Sequence, residues 1–409
     1  TRNRSEFLRY CVATCLACDD DQIEVIVSDN NSIDDTRQVI QAIDDPRLKY
    51  VNTGQDISMR QNFEFALEHA TGDYLIYIGD DDGILPNGLA SLRRVIDQHG
   101  PDILLWRHIT NLWPKNHPVP TPGRLKNRFR DFCGPMHAID PKQRLATLAQ
   151  AHKTNYRDAA NIYHGCVHRR VIEKVCQMQN GIYFNGVCPD VNTAITNLIA
   201  ADNILWFRNP VTIGGEGEKS NGTAFNGKES ASKQQKEIAS DFTRLVAEDG
   251  TQPQIDSRIR SVPAQTYANI CLINQEQDAK IAIDHAAWRR FIIEDVKTYS
   301  PQQRHWPVMA AFFETFDPTF DGQGLPQPSP QALQETIDPA STTTSQRDRP
   351  QKPNRRRHTD AQLQTVMSVV QWIQRVTGRP YTPRISPLIA AVVQAARIPG
   401  MWLRSLSAR

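Results

Sequence analysis

The chain has 409 residues, enough for one large domain or two with ample core. Its net charge of +2 argues against a general nucleic-acid binder, and eight cysteines over this length do not make a secreted disulfide framework. No apolar run approaches the roughly 20 residues needed to span a bilayer. No signal peptide is visible, and the chain opens at Thr1 without a Met, which leaves room for a missing N-terminal segment.

Asn3 to Leu16 reads as a turn leading into an amphipathic helix, with Phe7, Leu8, Cys11, Val12 and Cys15 on one side. Cys11, Cys15 and Cys18 share that buried face. With no second Cys-x-x-Cys or His pair nearby, they read as small core residues rather than a zinc or redox site. Glu24 to Ser28 is a β-branched strand that stops in the polar cluster Asp29-Asn30-Asn31-Ser32. A helix from Thr36 to Ile43 follows, capped by Asp34 or Asp35, then a short strand at Leu48 to Val51. Ser58 to Ala70 is helical, and Tyr74 to Gly79 is a strand that runs into Asp80-Asp81-Asp82.

This alternation predicts parallel βαβ units and an open α/β sheet, in which ligands bind beyond the carboxyl ends of the strands. The two polar clusters, about 50 residues apart, both fall at such ends and are expected to share one cleft. Three adjacent carboxylates beside an apolar flank repel one another. A divalent cation with a preference for hard oxygen ligands, Mg²⁺ or Mn²⁺, would offset that repulsion; a solvated Asp-Asp-Gly turn is the plainer alternative. No G-x-G-x-x-G or Walker-type loop is present.

Further along, Pro86 to Gln98 reads as a helix, Asp102 to Trp106 as a buried strand, and Leu112 to Gly134 as a long excursion. Cys166 to Cys176 reads as the start of a helix, Val191 to Ala201 as a helix and Ile204 to Phe207 as a strand. Gly214 to Gly227 reads as a mobile loop. From Ser230 to Phe316 the pattern is helical, with Trp288, Phe291, Ile292 and Trp306 as core anchors. Asp317 to Arg357 has a disordered composition, and two amphipathic helices follow, at Ala361 to Val376 and Pro387 to Leu406. Between Arg347 and Arg409, twelve Lys or Arg face two Asp.

Three segments, in order, resemble the family 2 glycosyltransferases of the GT-A fold. Thr1-Arg2-Asn3-Arg4 resembles the end of a P-T-Y-N-R signature. Glu24 to Thr36 is similar to E-I-I-V-x-D-x-x-S-x-D-x-T. Asn62 through Gly72-Asp73-Tyr74 and Asp80-Asp81-Asp82 to Pro86 and Leu89 is similar to N-x-x-x-x-x-A-x-G-D-Y-x-x-x-x-D-D-D-x-x-x-P-x-x-L. The match covers Thr1 to Leu89, with a looser continuation to about Gly215. Family members open with a strand before the first motif, and here it is absent; it lies centrally in the sheet, so its loss would leave two neighbours with unpaired backbone groups.

The resemblance implies a Rossmann-like, mostly parallel sheet flanked by helices over residues 1–228. A helical C-terminal extension over 229–316, a disordered linker over 317–358 and a basic amphipathic tail over 359–409 complete the expected organisation. It implies transfer of a sugar, with inversion, from a nucleoside-diphosphate sugar to the hydroxyl of a glycan or lipid-linked acceptor, in bacterial cell-surface glycan synthesis. Asp82 would be the direct metal ligand, and Asp80 would contact the ribose or the metal through water. Asp81 is either part of the nucleotide-sugar site or only a turn residue. Asp29 would accept a hydrogen bond from the base. Thr1 and Arg4 would line the nucleotide pocket, and Arg60 and Asn62 would reach the sugar or phosphates. Asp190, in Cys188-Pro189-Asp190-Val191-Asn192, resembles the aspartate at a helix start that serves as general base, its ionised form favoured there.

Gly165 to Arg170 resembles the acceptor-side wall, with His164 and His168 beside it, and Gly214 to Gly222 resembles a lid over the diphosphate. The tail suits an interfacial helix on an anionic membrane, placing a cytoplasmic protein at the inner face of the plasma membrane. Packing on the catalytic domain or a partner is the other reading of the same pattern. Two alternative functions stand beside transfer. One is a catalytically degenerate nucleotide-sugar-binding or scaffold protein. The other is a sugar-nucleotide pyrophosphorylase, which expects a basic Gly-rich loop after the first strand that Asn3-Arg4-Ser5 does not provide.

Overall fold

The computed structural model describes residues 1–326 apart from 86–87, 115–122, 126–134, 153–155, 218, 221–232, 251–254, 257, 277–279 and 300–302. The expected helices of the basic tail and most of the expected linker lie outside the described residues.

The first layer is a small wing. Helix α1 (Ser5–Leu16) packs Leu8 and Val12 against Val27 of β1 (Val25–Asp29) and Ile40 of α2 (Thr36–Gln41). β1 pairs in parallel with β2 (Leu48–Asn52), in register from Val25 with Leu48 to Asp29 with Asn52. The intervening α2 makes this a right-sized βαβ crossover. Helix α3 (Met59–Glu68) starts at a capping box: the Ser58 side chain accepts from Gln61 N, and the Gln61 side chain accepts from Ser58 N. Such a cap is worth about 1 kcal/mol.

The body holds two further sheets. One is five-stranded, in the order β3 (Tyr74–Leu75), β9 (Gly165–His168), β5 (Ile103–Leu105), β10 (Ile204–Trp206), β8 (His137–Ile139). The other is four-stranded, in the order β4 (Gly83–Ile84), β11 (Thr212–Glu216), β6 (Ile109–Leu112), β7 (Arg124–Leu125). Parallel pairing holds for β5 with β10 and β6 with β11, and the other pairings in these two sheets are antiparallel, so the whole is mixed. The helices on this body are α4 (Gly88–His99), α5 (Pro141–Ala149), α6 (Arg169–Met178) and α7 (Pro189–Ala200). Four more follow: α8 (Lys233–Asp249), α9 (Val262–Glu276), α10 (His285–Val296) and α11 (Trp306–Phe316).

Three sequence expectations need correction. Cys166 belongs to β9 and is 1% exposed, because the segment is paired on both sides; the helix starts only at Arg169, capped by the His168 side chain. Gly214 to Glu216 is strand, not loop: these residues pair with Thr110 to Leu112. The packed body also runs past Phe316. Asp317 is 3% exposed and takes Arg289 as an ion-pair partner at 2.6 Å, and the Phe320 ring lies 5.6 Å from that of Phe313.

The helices from α9 to α11 do not sit apart from the sheet. Tyr267, Trp288 and Phe313, all fully buried, share one apolar cluster with Ile195 and Leu198 of α7 and with Ile103 and Val167 of the five-stranded sheet. Trp288 also donates Nε1–H to Ala149 O at 3.0 Å, which satisfies its one polar group.

Between the wing and the body the sheet is interrupted. Among the described residues β1 pairs only with β2 and β3 only with β9. A cavity of about 860 Å³ lies in the gap, lined by Val25, Val27, Leu75, Tyr77 and Cys166 among others. Polar ties bridge it: the Glu24 carboxylate accepts from Thr71 N and Gly72 N, and Ser28 Oγ donates to Asn62 Oδ1 at 2.7 Å.

Candidate active site

Thr1 fastens the two acidic clusters together. Its amino group donates to Ser28 O at 2.8 Å, and its carbonyl accepts from Asn30 N at 2.9 Å, so the residue lies alongside the end of β1. Its hydroxyl donates to Asp80 Oδ2 at 2.6 Å. Asp29 and Asp80, the first acid of each cluster, therefore flank one residue.

Asp29 is fully buried and organises the loop that follows it. Its Oδ2 accepts from Tyr50 Oη at 2.6 Å and Asn52 Nδ2 at 3.0 Å, and Oδ1 accepts from Ser32 N at 3.0 Å. One acceptor position, on Oδ1, stays available by valence.

Arg4 is the cation of the triad. Its NH1 lies 2.7 Å from Asp80 Oδ1, its NH2 lies 3.1 Å from Asp81 Oδ2, and the side chain is 15% exposed. Burial works against its charge, but Asp80 and Asp81 more than offset that and raise its pKa. Ser220 Oγ also donates to Asp81 Oδ2. Asp82 is 1% exposed and enclosed: Oδ2 accepts from Gly79 N and Tyr163 Oη, both at 2.6 Å, and Oδ1 accepts from Gly215 N at 2.6 Å. A Cβ on Gly215 would sit 2.0 Å from Asp81 O, so only glycine lets that backbone approach. Burial raises the pKa of both Asp81 and Asp82 above the ordinary carboxylate range. Burial likewise holds His164 neutral, down to about 3, so its 3.4 Å approach to Asp82 is a dipolar contact and not an ion pair.

A divalent ion does not fit the donors as they are placed. Every oxygen of Asp80 and Asp82, and Oδ2 of Asp81, already faces a protein donor. Among the described residues no group of three or more His, Cys, Asp or Glu is arranged to hold a metal.

Asp190 lies in the first turn of α7, after Pro189 at the opening position. It is partly exposed, and Tyr156 Oη donates to its Oδ2 at 2.8 Å. Burial raises its pKa; the Tyr156 hydrogen bond and the charge of Arg157 pull it back down. The charge of Arg157 acts on Asp190, on Glu216 of β11 and on His164. Because Gly215, beside Glu216, holds Asp82, this chain of neighbours runs from Asp190 to the triad.

Residues 1–172 match the family model described as "Glycosyl transferase family 2". The mixed α/β sheets flanked by helices are the GT-A architecture expected for it. A relative from Campylobacter jejuni, named GalNAc(5)-diNAcBac-PP-undecaprenol beta-1,3-glucosyltransferase, is 35% identical over 95 residues. That match spans 22% of this chain and 31% of the relative's length. Among solved structures, S. aureus TarS 1-349 in complex with UDP-GlcNAc is 13% identical with a TM-score of 0.42, covering 74% of this chain and 80% of that one. The same protein in complex with UDP is 14% identical with a TM-score of 0.41, covering 76% and 81%.

Within the matched segment, the sequence-predicted residues divide into two sets. Thr1, Arg4, Asp29, Asp80, Asp81 and Asp82 are brought together. Arg60 and Asn62 are used elsewhere. Arg60 forms a two-pronged pair with Asp249 at the end of α8, Nε at 2.8 Å and NH2 at 2.6 Å, and Asn62 receives the Ser28 hydroxyl. The expected acceptor wall, Gly165 to Arg170, is mostly internal: Arg169 donates to the Ala70 and Gly72 carbonyls, and Arg170 pairs with Asp102. Tyr50, Tyr156, Arg157 and Tyr163 escaped sequence reasoning because no motif carries them. Ser220 had a signal, since it lies in the Gly-rich segment marked as a lid.

No helix among the described residues is long and apolar enough to cross a membrane.

Proposed function

We propose that the protein transfers a sugar from a nucleoside-diphosphate sugar to an acceptor hydroxyl in glycan synthesis, by a single inverting displacement. The observation that carries this reading is the junction at Thr1, which joins the loop after β1 to Asp80 at the carboxyl ends of two strands. A nucleoside would bind there. Asp29 fixes the loop and offers its remaining acceptor position to a base N–H, and Asp80 and Thr1 offer oxygens to the ribose.

The diphosphate would lie over Arg4, with Lys219 beside it; both cations stand near the Phe7 ring, at 5.8 and 5.9 Å from its centroid. Two fixed cations stabilise the charge that develops on the leaving diphosphate, and no step is routed through a divalent ion. Asp190 takes the acceptor hydroxyl proton. Tyr156 fills one of its oxygens, which leaves the other to act as base, and the start of α7 favours the ionised form. The relative that acts on an undecaprenol-linked glycan supports a lipid-linked acceptor, and a basic tail docked on an anionic membrane would bring the protein to it.

Calorimetric titration with UDP, GDP and dTDP, each with Mn²⁺ and with EDTA, tests the donor side. One nucleoside diphosphate is expected to bind, and Thr1→Val together with Asp80→Ala to weaken it at least tenfold. Absence of binding by all three would overturn the proposal.

A further inference from the structure

Arg4 occupies the position in which three adjacent carboxylates call for a cation. Its guanidinium reaches Asp80 and Asp81 at once, at 2.7 and 3.1 Å, in surroundings where Asp80, Asp81 and Asp82 are each no more than 6% exposed. In so low a dielectric an uncompensated carboxylate cluster is costly, and a fixed cation offsets it.

Two details show what kind of grip this is. Asp80 Oδ1 is buried and has no aligned hydrogen bond although NH1 is close, and Arg4 Nε is buried with no hydrogen-bond partner. The pair is held by charge more than by directed bonding. A well-hydrated divalent ion needs oxygen ligands of the same kind, in the same place.

We propose that Arg4 is the resident counter-cation of the acidic triad. The protein therefore binds a nucleoside diphosphate without a divalent ion, and replacing Arg4 with a neutral side chain turns Asp80 and Asp81 into a divalent-cation site. The first clause rests on the reading of function above; the second does not. The competition is one for one: the guanidinium leaves both carboxylates, and the entering ion takes the oxygens it vacates.

Mn²⁺ binding without nucleotide, followed by electron paramagnetic resonance of the free ion, tests this on the full chain. Wild type and Arg4→Lys are expected to bind Mn²⁺ weakly. Arg4→Met is expected to bind it at least tenfold more tightly, and Asp80→Asn added to Arg4→Met to remove the gain. Tight Mn²⁺ binding by wild type, a measurement that needs no variant to fold, overturns the proposal, as does an Arg4→Met protein that is folded by circular dichroism and gains nothing. UDP titration in EDTA separates the two readings. Binding only when Mn²⁺ is present sinks this inference and leaves the transferase reading standing, whereas no binding in either condition sinks the transferase reading.

Discussion

The wing and the body of the molecule are held by different forces. In the wing, a modest cluster of Leu8, Val12, Val27 and Ile40 is supplemented by polar ties: Thr1 to Ser28 and Asp80, Ser28 to Asn62, Glu24 to Thr71 and Gly72. In the body, Trp288, Tyr267, Phe313 and Phe184 are buried to 0–1% exposure in one continuous apolar cluster. Hydrogen bonds contribute about 1 kcal/mol each and must be aligned, whereas apolar burial adds up without alignment. A nucleotide site needs polar groups at fixed places, and the wing supplies them at the expense of core. On the proposed reading, stability and recognition are thus concentrated in different parts of the chain.

The comparison can be broken first from the body. Trp288→Ala removes a fully buried side chain and one of the two donors to Ala149 O, and is expected to cost about 3–5 kcal/mol in denaturant unfolding. A loss under 1 kcal/mol would mean that the body is not the stabilising half. The link between the two regions comes next. Arg60→Ala removes the two-pronged pair from the Asp249 carboxylate, 1% exposed; we expect a loss of about 2–3 kcal/mol with nucleotide affinity unchanged. A fall in UDP affinity at constant melting temperature would instead return Arg60 to the nucleotide site.

Smaller effects sharpen the picture. Tyr156→Phe removes a hydrogen bond that favours ionised Asp190, so the acidic limb of the kcat profile is expected to move to higher pH, with little change in KM for donor. An unmoved limb would detach Tyr156 from the base. In Glu24, burial alone would raise the pKa, but Lys49 and the Thr71 and Gly72 amides outweigh it and hold the carboxyl down at about 2. Its folded pKa is below its unfolded one, so its stabilising contribution is present above about pH 4.5 and fades as the pH falls toward 2. Glu24→Gln should flatten that acid-side decline in melting temperature, and an identical decline in both proteins would contradict it.

What could be read from residue order follows the same division. The strand before Asp29, the α3 helix and the Asp80 to Asp82 junction were legible because their chemistry is local: β-branched runs, a cap and a charge cluster. Convergence of the two clusters was legible from βαβ topology. That Arg4 would meet the triad was not, because its contacts with Asp80 and Asp81 span 77 residues or about that many. The proposal puts Arg4, a side chain already among the expected pocket residues, where carboxylate repulsion argued for an ion. Tyr163 and Tyr156 were invisible for a related reason: each acts through one hydroxyl delivered by tertiary packing, and neither leaves a periodic or motif signal. Cys166 misled because an apolar segment next to a helix reads the same whether it is a first turn or a buried strand.

The central claim is that one recess binds a nucleoside-diphosphate sugar while Asp190 takes a proton from the acceptor. Asp190→Asn tests it most directly, with turnover and UDP affinity measured on the same preparation. The account predicts a fall in kcat of about 10²–10⁴-fold with unchanged UDP affinity. Turnover retained at the wild-type rate, or activity and UDP affinity lost together, would contradict it.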